Sequence, residues 1–215
     1  MSSAIIFDMD GTLFQTNLIL EPALEATFAE LRKEGLWQGT TPIDTYRKIM
    51  GVPLPVVWET LCPAHSTNIR QQSNQRFHIQ LIEQIKHHQG ALYPHVESTL
   101  ADLSKTFDLY IASNGEVEYL QAIVDTYQLN RFIKKTYSIQ SIATGHKSDL
   151  VKKVITENGI TSGAVVGDRL SDIQAAKDNE LLAIGVQFDF AQPAELDHAD
   201  FVIDDLKKLS TKFGE

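Results

Sequence analysis

The sequence predicts an α/β protein, a doubly wound parallel sheet of Rossmann-like type that carries an inserted α-helical block. Three features predict it. The short apolar run Ala4-Ile5-Ile6-Phe7 leads straight into Asp8-Met9-Asp10-Gly11-Thr12, as a strand buried on both faces of a parallel sheet does. From Tyr93-Pro94 onward, helical spacing alternates with short apolar runs, the pattern of βαβ units. Between these parts, residues 17–90 keep a helical texture that no strand interrupts convincingly.

Each element has its own reason. Leu20, Leu24, Phe28 and Leu31 recur at helical spacing, and Gly35 stands where that helix should stop. Tyr46, Ile49 and Met50 predict a second, short helix before Gly51, and Val56, Val57 and Leu61 a third that starts after Pro53 and Pro55. Phe77, Leu81, Ile82 and Ile85 mark a longer fourth helix that ends near Gly90. The expected organisation is therefore an α/β core from residues 1–16 and 91–215, with a helical insertion at 17–90. In the core, Val96, Leu100 and Leu103 lie on a helix, and residues 109–112 form a strand running into Ser113-Asn114-Gly115. Tyr119, Ile123 and Tyr127 predict the next helix, and residues 136–139 a short strand. A helix around Leu150, Val151, Val154 and Ile155 leads to the strand Ala164-Val165-Val166, which ends at Gly167-Asp168. Ile173 and Ala176 carry a further helix, residues 182–186 and 201–203 the last two strands. Asp197, Asp200, Asp204 and Asp205 read as solvated helix ends.

Composition narrows the function. The 215 residues carry a net charge of −9 without a prominent Lys/Arg cluster, which argues against a nucleic-acid partner because such binding rests on phosphate neutralisation. A small anionic substrate stays compatible, since a bound cation and a few aimed donors reverse the field locally. No apolar run is long enough for a bilayer and no signal-peptide pattern opens the chain, so no membrane association is expected. Cys62 is the single cysteine; it excludes an intrachain disulfide and fits a reducing, cytoplasmic setting. Monomer and homodimer fit the sequence equally.

In open parallel sheets ligands bind beyond the carboxyl ends of the strands. Asp8, Asp10, Ser113, Asn114 and Asp168 all fall at expected strand ends. Asp8 and Asp10 repel one another unless a hard cation such as Mg²⁺ offsets them, and Gly11 permits a turn with close approach of backbone amides to a ligand. Asp-x-Asp-Gly is equally an ordinary β-turn composition; the apolar run before it and the later strand ends favour the site. Ser113-Asn114-Gly115 offers a hydroxyl, an amide and an open backbone N–H to oxyanion oxygens, or an N-cap to the helix beginning near Glu116. Lys147, near a helix start, offers a point charge to a phosphoryl oxygen. His146 interrupts Gly-Lys-Ser there and the upstream glycine is missing, which excludes a P-loop. Gly167-Asp168-Arg169-Leu170-Ser171-Asp172 sets two carboxylates four apart, one to face a cation and one to orient the site or favour a helix N-terminus.

Taken in order, Asp8 to Thr12, Ser113 with Asn114, Lys147, and Gly167 to Asp172 resemble the four motifs of haloacid dehalogenase superfamily hydrolases, in the phosphoglycolate phosphatase-like branch with a helical cap. The resemblance covers nearly the whole chain. It implies a Mg²⁺-dependent phosphatase of a small phosphorylated metabolite, with residues 17–90 as the cap. Asp8 would attack phosphorus and form an aspartyl-phosphate, and Asp10 would protonate the leaving oxygen and then deprotonate water. Mg²⁺ would be held by Asp8, the Asp10 backbone carbonyl and Asp168, with Asp172 as ligand or outer support. Ser113 and Lys147, with the groups of Gly11, Thr12, Asn114 and Gly115, would bind the phosphoryl oxygens. Dehalogenating and phosphonate-cleaving members generally lack the second aspartate, so Asp10 favours ester hydrolysis. The chain departs from the family pattern at Ser148, where proline is frequent, and at Gln15, where an acid is common. In the cap, Arg47 or Lys48 offers a cation to a second anionic group, or is ordinary exposed helix charge. Two other functions share parts of this pattern: a sugar phosphomutase using the same aspartyl-phosphate, and a non-catalytic phosphate-binding or receiver-like signalling protein. An acceptor aspartate on the first strand argues against the receiver.

Overall fold

The computed structural model describes residues 2–49, 54–189 and 191–213. The chain divides into two compact units, Met1–Thr16 with Ala91–Glu215, and Asn17–Gly90. The first unit is built on a six-stranded sheet of β1 (Ser2–Phe7), β2 (Asp108–Ser113), β3 (Lys135–Ser138), β4 (Ile160–Gly167), β5 (Leu182–Val186) and β6 (Phe201–Ile203). Its order is β3-β2-β1-β4-β5-β6, and every neighbouring pair is parallel. The chain moves outward from β1 through β2 and β3, then returns to β1's other side with β4. That reversal opens a crevice at the carboxyl ends of β1 and β4, where doubly wound sheets bind ligands.

Burial follows from the apolar runs. Ala4, Ile5, Ile6 and Phe7 are all fully buried, as a central strand of a parallel sheet requires. Ala4 and Ile6 share a face with Tyr110, Ala112, Val165 and Ala183. Helices α7 (Lys147–Asn158) and α8 (Leu170–Asp178) cover that face with Leu150, Val151, Val154, Ile173 and Ala176. The register pairs Phe7 with Ile111 on one side and Val166 on the other. Asp8 is thereby set among the ends of three strands, and its N–H extends the ladder to Val166 O at 2.9 Å.

Contact between β1 and β4 depends on Gly163. Its φ is +150°, and a Cβ there would stand 1.8 Å from the carbonyl oxygen of Ala4. The adjacent register irregularity at Ser2/Ser3 shows the strands adjusting beside this point. Gly163→Ala is expected to lower stability by about 2–4 kcal/mol, because the clash is with backbone and no rotamer relieves it. Differential scanning calorimetry checks this; an unchanged melting temperature would contradict the close approach.

Helices are the regular elements of the second unit's described residues: α1 (Asn17–Lys33), α2 (Ile43–Lys48), α3 (Leu54–Leu61) and α4 (Thr67–Lys86). Phe28, Trp58 and Phe77 form its buried aromatic centre, with Trp58 Nε1 donating to Asn74 Oδ1 at 2.9 Å. Gly35, at φ +71°, follows the end of α1 as its spacing predicts. Three expectations need correction. Helix α3 begins at Leu54 and takes Pro55 into its first turn, where the missing N–H has no intrahelical partner to lose. Helix α2 ends at Lys48, and Met50, Gly51 and Pro53 lie outside the described residues. Helix α4 ends at Lys86, before Gly90, with His88 in a positive-φ conformation two residues later.

The core holds further helices, α5 (Val96–Leu103) and α6 (Val117–Thr126), and two that hydrophobic spacing did not reveal, α9 (Pro193–Leu196) and α10 (Lys207–Phe213). Both are short, so each offers little periodic pattern. Asp200 is no solvated helix end: its carboxylate accepts from Ala183 N at 2.8 Å and pairs with Lys177, fastening the start of β5. No helix of the described residues is long and apolar enough to cross a membrane.

Candidate active site

Asp8 stands one residue beyond β1 and is 7% exposed. Asp168 follows β4, and Asp172 lies in the first turn of α8; both are 1% exposed. The three carboxylates each offer an oxygen within 4.8 Å of the others. Lys147, first residue of α7, reaches into the group: its Nζ donates to Asp8 Oδ1 at 2.6 Å and lies 2.9 Å from Asp172 Oδ1. Residues separated by up to 164 positions thus share one buried pocket of charge.

Two glycines make that convergence possible. Gly11 has φ +73°, and a Cβ there would stand 2.5 Å from Asp168 Oδ2. At Gly167 a Cβ would lie 2.2 Å from Asp172 Cγ. Thr12 Oγ1 donates to Asp168 Oδ1 at 3.3 Å. Asp172 also answers both readings of its position, since its Oδ2 accepts from Arg169 N at 3.1 Å and so caps α8, while Oδ1 faces Lys147. Glu195, which sequence reasoning passed over, accepts from Arg169 Nε at 2.9 Å and Leu170 N at 3.0 Å and so braces the turn after Asp168.

The electrostatics are unbalanced. Burial pushes Asp168 up to about 8, with Asp8 and Asp172 adding to the rise and Lys147 opposing it. Burial likewise raises Asp172 to about 6 against the pull of Lys147. Asp8 is raised by burial as well, with Lys147 opposing and Asp10 adding. Burial works against charge on Lys147, but Asp172 and Asp8 outweigh it and hold its ammonium ionised. One lysine against three buried carboxylates leaves excess negative charge, which is costly without a further cation. The donor set is all oxygen, with neither His nor Cys, and it therefore fits a hard divalent ion.

The remaining expected residues are placed less uniformly. Asp10 is half-buried and stands outside the three-carboxylate group, its Oδ1 accepting from Thr16 Oγ1 and Tyr119 Oη at 2.5 Å each. Gly11 N donates to Phe14 O, and Thr12 N lies 3.3 Å from Met9 O, so these amides close the turn on itself. Ser113 ends β2 and is 1% exposed, while Asn114 is exposed. Gly115 N, read as an open donor, instead donates to Ser113 Oγ at 3.1 Å. Nor do Ser113 and Asn114 cap α6: its N-cap is Glu116, and Val117 N donates to Gln140 Oε1.

The sequence pattern of the haloacid dehalogenase-like hydrolases matches residues 5–186, a span that contains the carboxylate group and Lys147. The chain belongs to that family. This hydrolase is 24% identical over 218 residues to a phosphoglycolate phosphatase of Pseudomonas savastanoi pv. phaseolicola, covering 95% of this chain and 77% of that one. It is 25% identical over 224 residues to the pyrophosphatase PpaX of Oceanobacillus iheyensis, covering 98% and 96%. CbbY from Rhodobacter sphaeroides, solved in complex with phosphate, shares the fold with a TM-score of 0.80 at 18% identity, over 97% of this chain and 96% of that one.

Proposed function

We propose that this hydrolase is a Mg²⁺-dependent phosphatase of small phosphorylated metabolites, working through an aspartyl-phosphate on Asp8. The observation that carries the reading is the meeting of Asp8, Asp168 and Asp172 around Lys147 at the topological switch point. Relatives named as a phosphoglycolate phosphatase and a pyrophosphatase support it.

Asp8, Asp168 and Asp172 would hold the ion, which supplies charge neutralisation for a phosphoryl group. Lys147 orients the Asp8 carboxylate through Oδ1 and opposes the rise that burial imposes on its pKa. Asp10, two residues on and held by Thr16 and Tyr119, protonates the departing oxygen and then accepts a proton from the hydrolytic water. Ser113, buried at the neighbouring strand end, supplies a hydroxyl to the transferring group. The inserted unit Asn17–Gly90 takes the role of cap. Within that unit Arg47 pairs with Glu21 and Asp44.

A panel of phosphorylated metabolites, assayed for released phosphate with Mg²⁺ and with chelator, tests the reading. Release from at least one ester only with Mg²⁺ is expected; no release from any would overturn it. A phosphomutase would instead return an isomerised sugar phosphate.

Metal removal has a stability signature with a definite sign. Asp168 at about 8 and Asp172 at about 6 both stand above the ordinary 3.8. The metal-free native state therefore binds more protons than the unfolded chain across that window, and its stability falls as pH rises through it. A bound cation favours the ionised carboxylates and removes the fall. Melting temperature in chelator is expected to drop between about pH 6 and about pH 8, with Mg²⁺ restoring more at the higher pH. A flat profile with no response to Mg²⁺ would contradict a cation site here.

A further inference from the structure

Asp10 is held by more than its own turn. Thr16 comes from the same loop, but Tyr119 arrives from α6, 109 residues along the chain, with 5% of its surface exposed. Both hydroxyls donate to the same atom, Oδ1, at 2.5 Å. Room for the phenol is provided locally. A Cβ at Gly115 would meet Tyr119 Cδ1 at 3.1 Å and Leu120 Cδ2 at 2.9 Å, so a larger residue there would crowd the phenol ring and its neighbouring leucine.

We propose that Tyr119 is a positioning residue for the proton transfers of Asp10: with Thr16 it occupies Oδ1 and leaves Oδ2 as the oxygen that carries the proton. The inference rests on the phosphatase reading and adds a residue to it. An oxygen accepting two short hydrogen bonds has both lone-pair directions filled, so a proton on it would displace a donor. In the first half-reaction the proton on Oδ2 passes to the ester oxygen as its bond to phosphorus breaks and the bond from Asp8 forms. In the second, water attacks phosphorus, its proton goes to Oδ2, and the Asp8–phosphorus bond breaks. The phenol keeps its own proton throughout. Tyr119 thus limits the rotation of the carboxyl group about its terminal torsion, which is otherwise broad.

In the first half-reaction the effect is visible only where the leaving group needs a proton. Wild type and Tyr119→Phe are to be compared with Mg²⁺ on phosphate monoesters whose leaving groups run from acidic phenols to simple alcohols. For alcohol leaving groups kcat/KM, which reports transfer to Asp8 and not the later hydrolysis, is expected to fall about tenfold, a fraction of the usual worth of general-acid catalysis, with less than about a twofold change for acidic phenols. The rise in melting temperature on adding Mg²⁺ should stay at the wild-type value. Thr16→Val, which removes the other donor, should show the same dependence on leaving group and serves if the first variant folds poorly. An equal loss across the series, or a gain for alcohols, would overturn the positioning role while leaving the phosphatase reading intact. Wild type that releases phosphate from no ester would overturn both.

Discussion

Asp8→Asn is expected to abolish phosphate release, with kcat falling by on the order of 10⁴ or more and the fold unchanged. The amide matches the carboxylate in shape but cannot supply the oxygen that bonds to phosphorus. Its effect on stability runs the other way. Burial raises the pKa of Asp8, which means the ionised side chain is disfavoured where it stands. Replacing it removes one charge from a group that already holds more negative than positive charge. The metal-free variant should therefore melt at or above the wild-type temperature, although Lys147 keeps only Asp172 as a close ionic partner. Phosphate release and a thermal melt on the same preparation check both halves. Activity above about one part in a hundred would remove Asp8 as the nucleophile, because loss of a covalent nucleophile is among the largest single effects in enzymes.

Lys147→Met should show the opposite combination, losing activity and stability together. Lys147 is 6% exposed and answers two buried carboxylates, Asp8 at 2.6 Å and Asp172 at 2.9 Å. Removing one partner of a buried pair leaves an uncompensated charge and typically costs about 3–5 kcal/mol. The deficit should be largest in chelator at alkaline pH, where the carboxylates must ionise, and smaller on acidification, as their raised pKa values require. Calorimetry with and without Mg²⁺ separates the terms. A metal-free melting temperature within about 2 °C of wild type, far less than such a loss produces in a chain of this size, would show that the lysine is not the counter-charge of the group.

Much of this is legible in the sequence. Asp8, Ser113 and Asp168 are readable because each directly follows or ends a short apolar run, and an apolar run of four residues has few alternatives to a buried strand. Asp172 is legible through its spacing from Asp168, and Gly11 through the turn that its missing side chain permits; the need for glycine at 167 is not, because its crowding by Asp172 exists only in the folded chain. Nor is Tyr119. Its position at helical spacing with Ile123 marks it as a core residue, and the ring does pack there; only its hydroxyl, at the far end, reaches Asp10. Glu195 lies in a four-residue helix with no pattern of its own. The direction of the N–H groups of Gly11, Thr12 and Gly115 is not legible for a related reason. Composition shows that an N–H exists, while the neighbouring loop atoms determine where it points.

Local chemistry alone thus specified the strand ends, the helical insertion and the acidic and basic residue types, because hydrophobic spacing and turn residues act over a few positions. Strand order β3-β2-β1-β4-β5-β6 belongs to the folded chain, and with it the meeting of residues 8, 147, 168 and 172. So does the grip of Thr16 and Tyr119 on a single oxygen of Asp10. Contacts between distant segments come from how whole faces pack, and no short window of sequence contains both partners.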